Sequence, residues 1–271
     1  MTARKSVQRG GLMPVWTSGA DRRDHRCTGG GLLMLDYDGT LAPFRRDPAR
    51  AKPWPGVRRM LERISTHPNT RVVVVTGRSV EDLLRVYAPP APVEVWASHG
   101  WEHFANGHHT RLPLTAGCGS DLRRALDSVP DLLARGARLE VKPASLALHV
   151  RGLPAARAAA ILAEGRRRWR VVCQAGRLEW MEFAAGIEII ARGRGKGTVV
   201  EELLSRSLPG ERVAYLGDDV ADEEAFRRVR RRGEAIRIGV GRSPTAAERT
   251  LHPPVELLAY LATWLFPRGS R

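Results

Sequence analysis

Two aspartates one residue apart, Asp36 and Asp38, end the segment LLMLDYDGTL and have the clearest capacity for chemistry in this 271-residue chain. The apolar run before them reads as a buried strand, so both carboxylates arrive at its C-terminal edge, where open α/β sheets bind ligands. Two anions this close need a proton, a cationic side chain or a bound metal, and a hard divalent ion with oxygen ligands is the simplest answer. Gly39 allows a sharp turn and Thr40 can brace the loop. On its own the segment also allows the plainer reading of a strand closing in an Asp-Gly turn.

Three other positions join the pair. Val72 to Val75 form a second apolar run that stops at Thr76, Gly77 and Arg78, with a helical pattern following over 79–86. Val213 to Leu216 form a third, which stops at Asp218 and continues through Asp219, Asp222, Glu223 and Glu224 into a helix that includes Phe226. Lys196 lies between Gly195 and Gly197, ahead of a helix over 198–205. β-branched runs that stop at polar clusters and hand over to helices predict a parallel sheet with helical crossovers. Each position has an ordinary reading when isolated: Thr76 as a helix N-cap, Lys196 as an exposed cation, and the acidic run as helix N-terminal charge, the reading preferred for Glu223 and Glu224.

In their order, these motifs resemble those of the haloacid-dehalogenase-like phosphohydrolases. Within that superfamily the chain is similar to the trehalose-6-phosphate phosphatases, through DYDGTLAP with Asp47-Pro48 behind it, VTGR, Ala97 to Gly100 (ASHG), Glu140-x-Lys142, His149-x-Arg151, GKG around Lys196, and GDDVADEEAF. The similarity spans roughly 32–266. It implies that Asp36 is the nucleophile and Asp38 the general acid and base. It further implies that Thr76 and Lys196 hold the phosphoryl group, and that Asp36, Asp218 and the Asp38 carbonyl ligate Mg2+, with manganese or cobalt open as substitutes.

The elements that must position these residues leave an uneven gap. Asp36 to Thr76 is 40 residues and Lys196 to Asp218 is 22, but Thr76 to Lys196 is 120, too long for one crossover. The expected architecture is therefore a Rossmann-like α/β core over 31–104 and 189–271, an inserted α+β cap over 105–188, and a polar, Gly-rich tail over 1–30. The cap pattern predicts helices over 120–135 and 155–168, with strands over 138–141, 146–150, 171–174 and 186–190. Glu140 and Lys142 share one face of their strand, being two residues apart, and Arg151 follows the partner strand. The resemblance implies that Glu140, Lys142, Arg151 and Glu188 grip sugar hydroxyls. The residues alone would also fit a cross-strand surface network. The segment 178–190 is longer and more apolar than one cap-exit strand requires, so Glu179 and Glu182 remain alternatives to Glu188. His149 reads as structural, and His99 carries no assigned chemistry.

The net charge of +15 and the sequence pI near 11.0 raise a nucleic-acid reading. Forty of the 44 basic residues are arginine, a skew spread over the whole chain, and the runs 166–168 and 227–232 lack interleaved aromatics that could stack on bases. No specific nucleic-acid partner is expected, and no apolar run reaches the length of a membrane span. Cys27, Cys118 and Cys173 lack CxxC spacing and fit a reduced, cytoplasmic protein. The expected function is hydrolysis of trehalose 6-phosphate through an aspartyl phosphate. Other capped sugar phosphatases (acting on sucrose phosphate, glucosylglycerate phosphate or hexose phosphate) and a non-catalytic binding module are the alternatives. The expected partner is a sugar phosphate; the oligomeric state stays open, a monomer included.

Overall fold

The computed structural model describes residues 30–45, 47–183, 185–239 and 244–265. Residues 1–29 of the expected tail, including Cys27, lie outside the described residues. Two sheets organise the chain. The larger has eight strands: β1 (Gly31–Leu35), β2 (Thr70–Val75), β3 (Glu94–Ala97), β4 (Glu102–Ala105), β5 (His108–Arg111), then β10 (Arg212–Gly217), β11 (Glu234–Ile238) and β12 (Arg249–Leu251). Their spatial order is β12-β11-β10-β1-β2-β3-β4-β5. Pairings from β12 to β3 are parallel, and β4 and β5 extend that edge as an antiparallel hairpin.

Alternation along β1 shows why these strands form a middle layer. Leu33 and Leu35 pack on one side with residues of α1 (Val57–Ser65), α2 (Val80–Val86) and α8 (Val255–Ala262). Leu32 and Met34 pack on the other with α6 (Lys196–Ser205) and α7 (Glu223–Val229). A strand buried on both faces must be apolar at every position, as β1 is.

The smaller sheet is antiparallel, in the order β6-β7-β9-β8, built from β6 (Arg138–Lys142), β7 (Ser145–His149), β8 (Leu178–Phe183) and β9 (Gly186–Ala191). Leu146, Leu148, Ile187 and Ile189 pack on one face against α3 (Ala116–Asp127) and α5 (Ala155–Cys173). The opposite face carries Glu140, Ala147 and Glu188 in a row across three strands.

Several sequence expectations need correction. The strand expected over 171–174 falls on the last turn of α5, which runs to Cys173. Val172 continues the buried stripe of Ile161, Gly165 and Trp169, a helical spacing that outweighs the β-branched Val171-Val172 pair. The single helix over 120–135 is two, α3 and α4 (Pro130–Ala134), because Pro130 has no amide hydrogen with which to continue α3. The segment 178–190 is the β8-β9 hairpin. The large sheet extends through β5 to Arg111 and the small sheet through β9 to Ala191, so the sheets change over later than the expected limits of 104 and 188.

Candidate active site

Because β1 lies between β10 and β2, the residues just past those three strands stand side by side: Asp36, Thr76 and Asp218. Main-chain bonds fix two of them, with the Asp36 amide donating to the Leu216 carbonyl at 2.8 Å and the Thr76 amide donating to the Trp96 carbonyl at 2.8 Å. Lys196 opens α6 from below, with Nζ 2.8 Å from Asp36 Oδ1 and 2.7 Å from Asp222 Oδ1. A cation at a helix N-terminus opposes the macrodipole. Asp36 and Asp222 outweigh that cost, because all three groups are buried and paired.

Asp36, Asp218 and Asp222 each place a carboxylate oxygen within 4.8 Å of the others. At that separation and an effective dielectric near 20, each pair repels by about 3 kcal/mol or more. Three carboxylates against the one ammonium of Lys196 leave two negative charges uncompensated. The pKa directions agree. Burial raises Asp36 well above its ordinary value against the pull of Lys196, and burial together with Asp222 pushes Asp218 up to about 6. Burial would discharge Lys196, but Asp222 and Asp36 keep it charged. The donor set therefore fits a divalent cation.

Asp222 is the least free of the three. Its Oδ1 accepts from Lys196 and from the Tyr215 hydroxyl at 2.5 Å, and its Oδ2 accepts from the Asp218 and Asp219 amides at 3.0 and 3.1 Å. With both oxygens engaged, Asp222 orients the loop and Lys196, leaving Asp36 and Asp218 as the carboxylates to hold a cation. Tyr215 was not singled out from sequence, because its place inside an apolar strand gives no sign of this bond. Gly39 explains the close fit of the first loop: its φ is +83°, and a Cβ there would lie 1.9 Å from Asp218 Oδ2.

The Asp38 carboxylate points to Arg78, which donates to it through Nε at 2.6 Å and Nη2 at 2.7 Å. Thr76 is buried, and its hydroxyl accepts from the Arg78 amide at 3.2 Å. The N-cap of α2 is Ser79, whose hydroxyl accepts from the Asp82 amide at 3.1 Å, so Thr76 is not the helix cap.

On the small sheet, Lys142 Nζ lies 3.2 Å from Glu188 Oε1 and 3.5 Å from Glu140 Oε1. Ser145 donates to Glu188 at 2.6 Å, and His149 Nε2 lies 2.9 Å from Glu140 Oε2. The His149 bond holds Glu140 down to about 2, against burial, while Glu188 and Glu140 keep the half-buried Lys142 charged. Glu140, Lys142 and Glu188 are thus brought together. Arg151 follows β7 in a turn and has no hydrogen bond or ion pair among the described residues. Glu182 pairs with Arg166 at 3.0 Å on the helical side, and Glu179 is exposed on the edge strand, so Glu188 is the glutamate that meets Lys142. In the arginine-rich runs, Arg167 and Arg168 pair with Glu164, and Arg228 with Glu224.

A left-handed turn joins β3 to β4 beside Thr76. Ser98, His99 and Gly100 have φ of 48°, 56° and 91°; for the two non-glycine residues this costs about 1–2 kcal/mol each. The turn is clamped throughout. The Ser98 amide donates to the Arg78 carbonyl at 2.6 Å, the His99 amide to the Thr76 carbonyl at 3.2 Å, and Arg194 Nε to the Gly100 carbonyl at 2.6 Å. The Ser98 hydroxyl bonds the buried Glu102, which also accepts from the Val80 amide at 3.3 Å. The His99 ring lies so close to Gly77 that a Cβ there would be 2.8 Å from Cε1. Burial pushes the imidazole down to about 4 against the opposing field of Glu188, so it is neutral.

A parallel sheet with an acidic cluster at its strand ends and a second sheet carrying polar residues on its open face is the architecture of the capped haloacid-dehalogenase-like phosphatases. In solved structures, the C-terminal domain of the Candida albicans trehalose-6-phosphate phosphatase superposes with a TM-score of 0.73 at 21% identity, covering 88% of this chain and 92% of that one. The family model described as trehalose-phosphatase matches residues 34–253, and the chain belongs to that family. The trehalose-phosphate phosphatase of Mycobacterium ulcerans is 28% identical over 250 residues, covering 84% of this chain and 60% of the relative. The trehalose-phosphatase of Schizosaccharomyces pombe is 26% identical over 255 residues, covering 85% of this chain and 30% of the relative. The chain therefore spans less than two thirds of the length of these curated relatives. No described helix is long and apolar enough to cross a membrane.

Proposed function

We propose that the protein is a cytoplasmic, Mg2+-dependent phosphatase that hydrolyses trehalose 6-phosphate to trehalose and phosphate. The division of labour is a core built on the eight-stranded sheet and a cap built on the four-stranded one. The observation that carries the reading is the convergence of Asp36, Thr76 and Asp218 at adjacent strand ends with Lys196 paired to Asp36, together with a second sheet whose one face bears Glu140, Lys142 and Glu188.

In the first half-reaction an Asp36 oxygen attacks phosphorus. The bond from phosphorus to the sugar oxygen breaks, and Asp38 gives that oxygen a proton. In the second, Asp38 takes a proton from water as the water attacks the aspartyl phosphate, returning Asp36 and releasing phosphate. Lys196 favours the ionised form of Asp36 against the pull of burial and steadies the transferring oxygens. A Mg2+ held by Asp36, Asp218 and the Asp38 carbonyl would add positive charge against the phosphoryl oxygens. Glu140, Lys142 and Glu188 offer charge-assisted hydrogen bonds to sugar hydroxyls, and Arg151 is the fourth candidate for such a contact.

Phosphate release from trehalose 6-phosphate, sucrose 6-phosphate and glucose 6-phosphate, each with Mg2+ and with chelator, tests the reading. A Mg2+-dependent preference for the trehalose ester is expected. Preference for another ester would overturn the substrate, and no release from any ester would overturn the activity.

A further inference from the structure

We propose that His99 is a substrate contact, its imidazole hydrogen-bonding a hydroxyl of the sugar that lies between the phosphoryl group and the cap. This rests on the sugar-phosphatase reading above and adds a specificity residue on the core side of the cleft.

Three observations converge on it. First, the backbone at Ser98 and His99 is left-handed, and strain of this kind persists only where surrounding structure enforces it. Here bonds to Thr76, Arg78, Arg194 and Glu102 do so. The turn is thus built onto the same loop that carries the phosphate-binding Thr76. Second, the ring rests on Gly77, and its electrostatic neighbours come from both sides of the cleft: Glu188 and Lys142 from the cap, Lys196 and Asp222 from the core. Third, neither imidazole nitrogen has a hydrogen-bond partner among the described residues, although the imidazoles of His103, His109 and His149 all pair with glutamates. A half-buried neutral imidazole offers one donor and one acceptor. A sugar hydroxyl can satisfy either, and rejection of esters lacking it follows.

Two variants separate this role from a structural one. His99→Asn keeps a residue that tolerates the left-handed conformation but shortens the reach, and Gly77→Ala leaves the imidazole in place chemically while pushing it off its seat. The assay compares kcat/KM for sugar phosphates and for p-nitrophenyl phosphate, which has no sugar, with thermal unfolding measured alongside. The expected result is a loss on the sugar ester about tenfold or more greater than the loss on p-nitrophenyl phosphate, with unfolding temperatures close to wild type for His99→Asn. Equal losses on both esters, or no loss on either, would overturn the proposal. The ratio is read on whichever sugar phosphate the wild type turns over fastest. A wild-type failure on trehalose 6-phosphate would therefore count against the substrate reading, while the His99 ratio stands or falls separately.

Discussion

Arg78 holds both carboxylate oxygens of Asp38, at 2.6 and 2.7 Å, so the group assigned as general acid is fully engaged before any leaving group arrives. Arg78 is itself fixed, lying over the Tyr37 ring at 5.4 Å and donating to the Pro48 carbonyl at 2.9 Å. Asp38 must exchange part of this grip for the sugar oxygen, and Arg78 sets where it starts from. Arg78→Met is expected to lower kcat on a sugar phosphate by about 10- to 100-fold, part of the roughly 10²- to 10⁴-fold that a positioned general acid supplies. Arg78→Lys should fall between, since an ammonium cannot reproduce the two-pronged contact. p-Nitrophenolate leaves without a proton, so its ester should lose less; equal losses would remove the positioning role.

Lys196 is paired with two buried carboxylates at once. Lys196→Met leaves Asp36 and Asp222 facing each other without a cation and should cost about 3–5 kcal/mol in urea unfolding. Adding Asp222→Asn to that background should recover part of the loss, because the two sites are in direct contact. Additive losses would show that the pair is not coupled.

A divalent cation at Asp36 and Asp218 should stabilise the fold by mass action, by about 2.7 kcal/mol at a hundred times Kd. For a chain of this size that is a rise of roughly 5–10 °C in the unfolding temperature, reversed by chelator. In Gly39→Ala the added Cβ displaces the Asp218 carboxylate, 1.9 Å away, and forces a strained φ. Differential scanning calorimetry should show the cation-dependent rise shrink or vanish in this variant, and an undiminished rise would place the cation elsewhere.

The cap should show acid sensitivity of defined sign. Glu140 is held at about 2 by His149 and Lys142, below its unfolded value of 4.5. A depressed carboxylate contributes stability that is present above pH 4.5 and is lost as pH falls toward 2. Urea midpoints measured from pH 5 to pH 2.5 should fall more steeply for wild type than for Glu140→Gln. Parallel curves would mean that the His149-Glu140 contact does not persist in solution.

The core site was legible because each of its residues terminates an apolar run, and the register of a parallel sheet then sets Asp36, Thr76 and Asp218 side by side. Sequence could not show that Arg78 reaches Asp38 or that Tyr215 donates to Asp222, since neither contact follows from a strand end or a helix face. On the cap, the spacing of Glu140 and Lys142 gave their shared face, but the choice of Glu188 over Glu182 needed the register of β8 against β9. The 171–174 error has a similar origin: two valines resemble a strand until Trp169 and Gly165 show them ending a long helix. His99 was invisible because its importance lies in a left-handed turn, which no periodicity announces.

The central claim is that Asp36 becomes covalently phosphorylated. The direct measurement is acid quenching of the enzyme during turnover of a ³²P-labelled sugar phosphate, followed by hydroxylamine treatment and peptide mapping. The account predicts acid-stable, hydroxylamine-labile label on the peptide containing Asp36, absent in Asp36→Asn and formed more slowly in Asp38→Asn. Turnover by wild type with no label on that peptide, or label that survives Asp36→Asn, would contradict it.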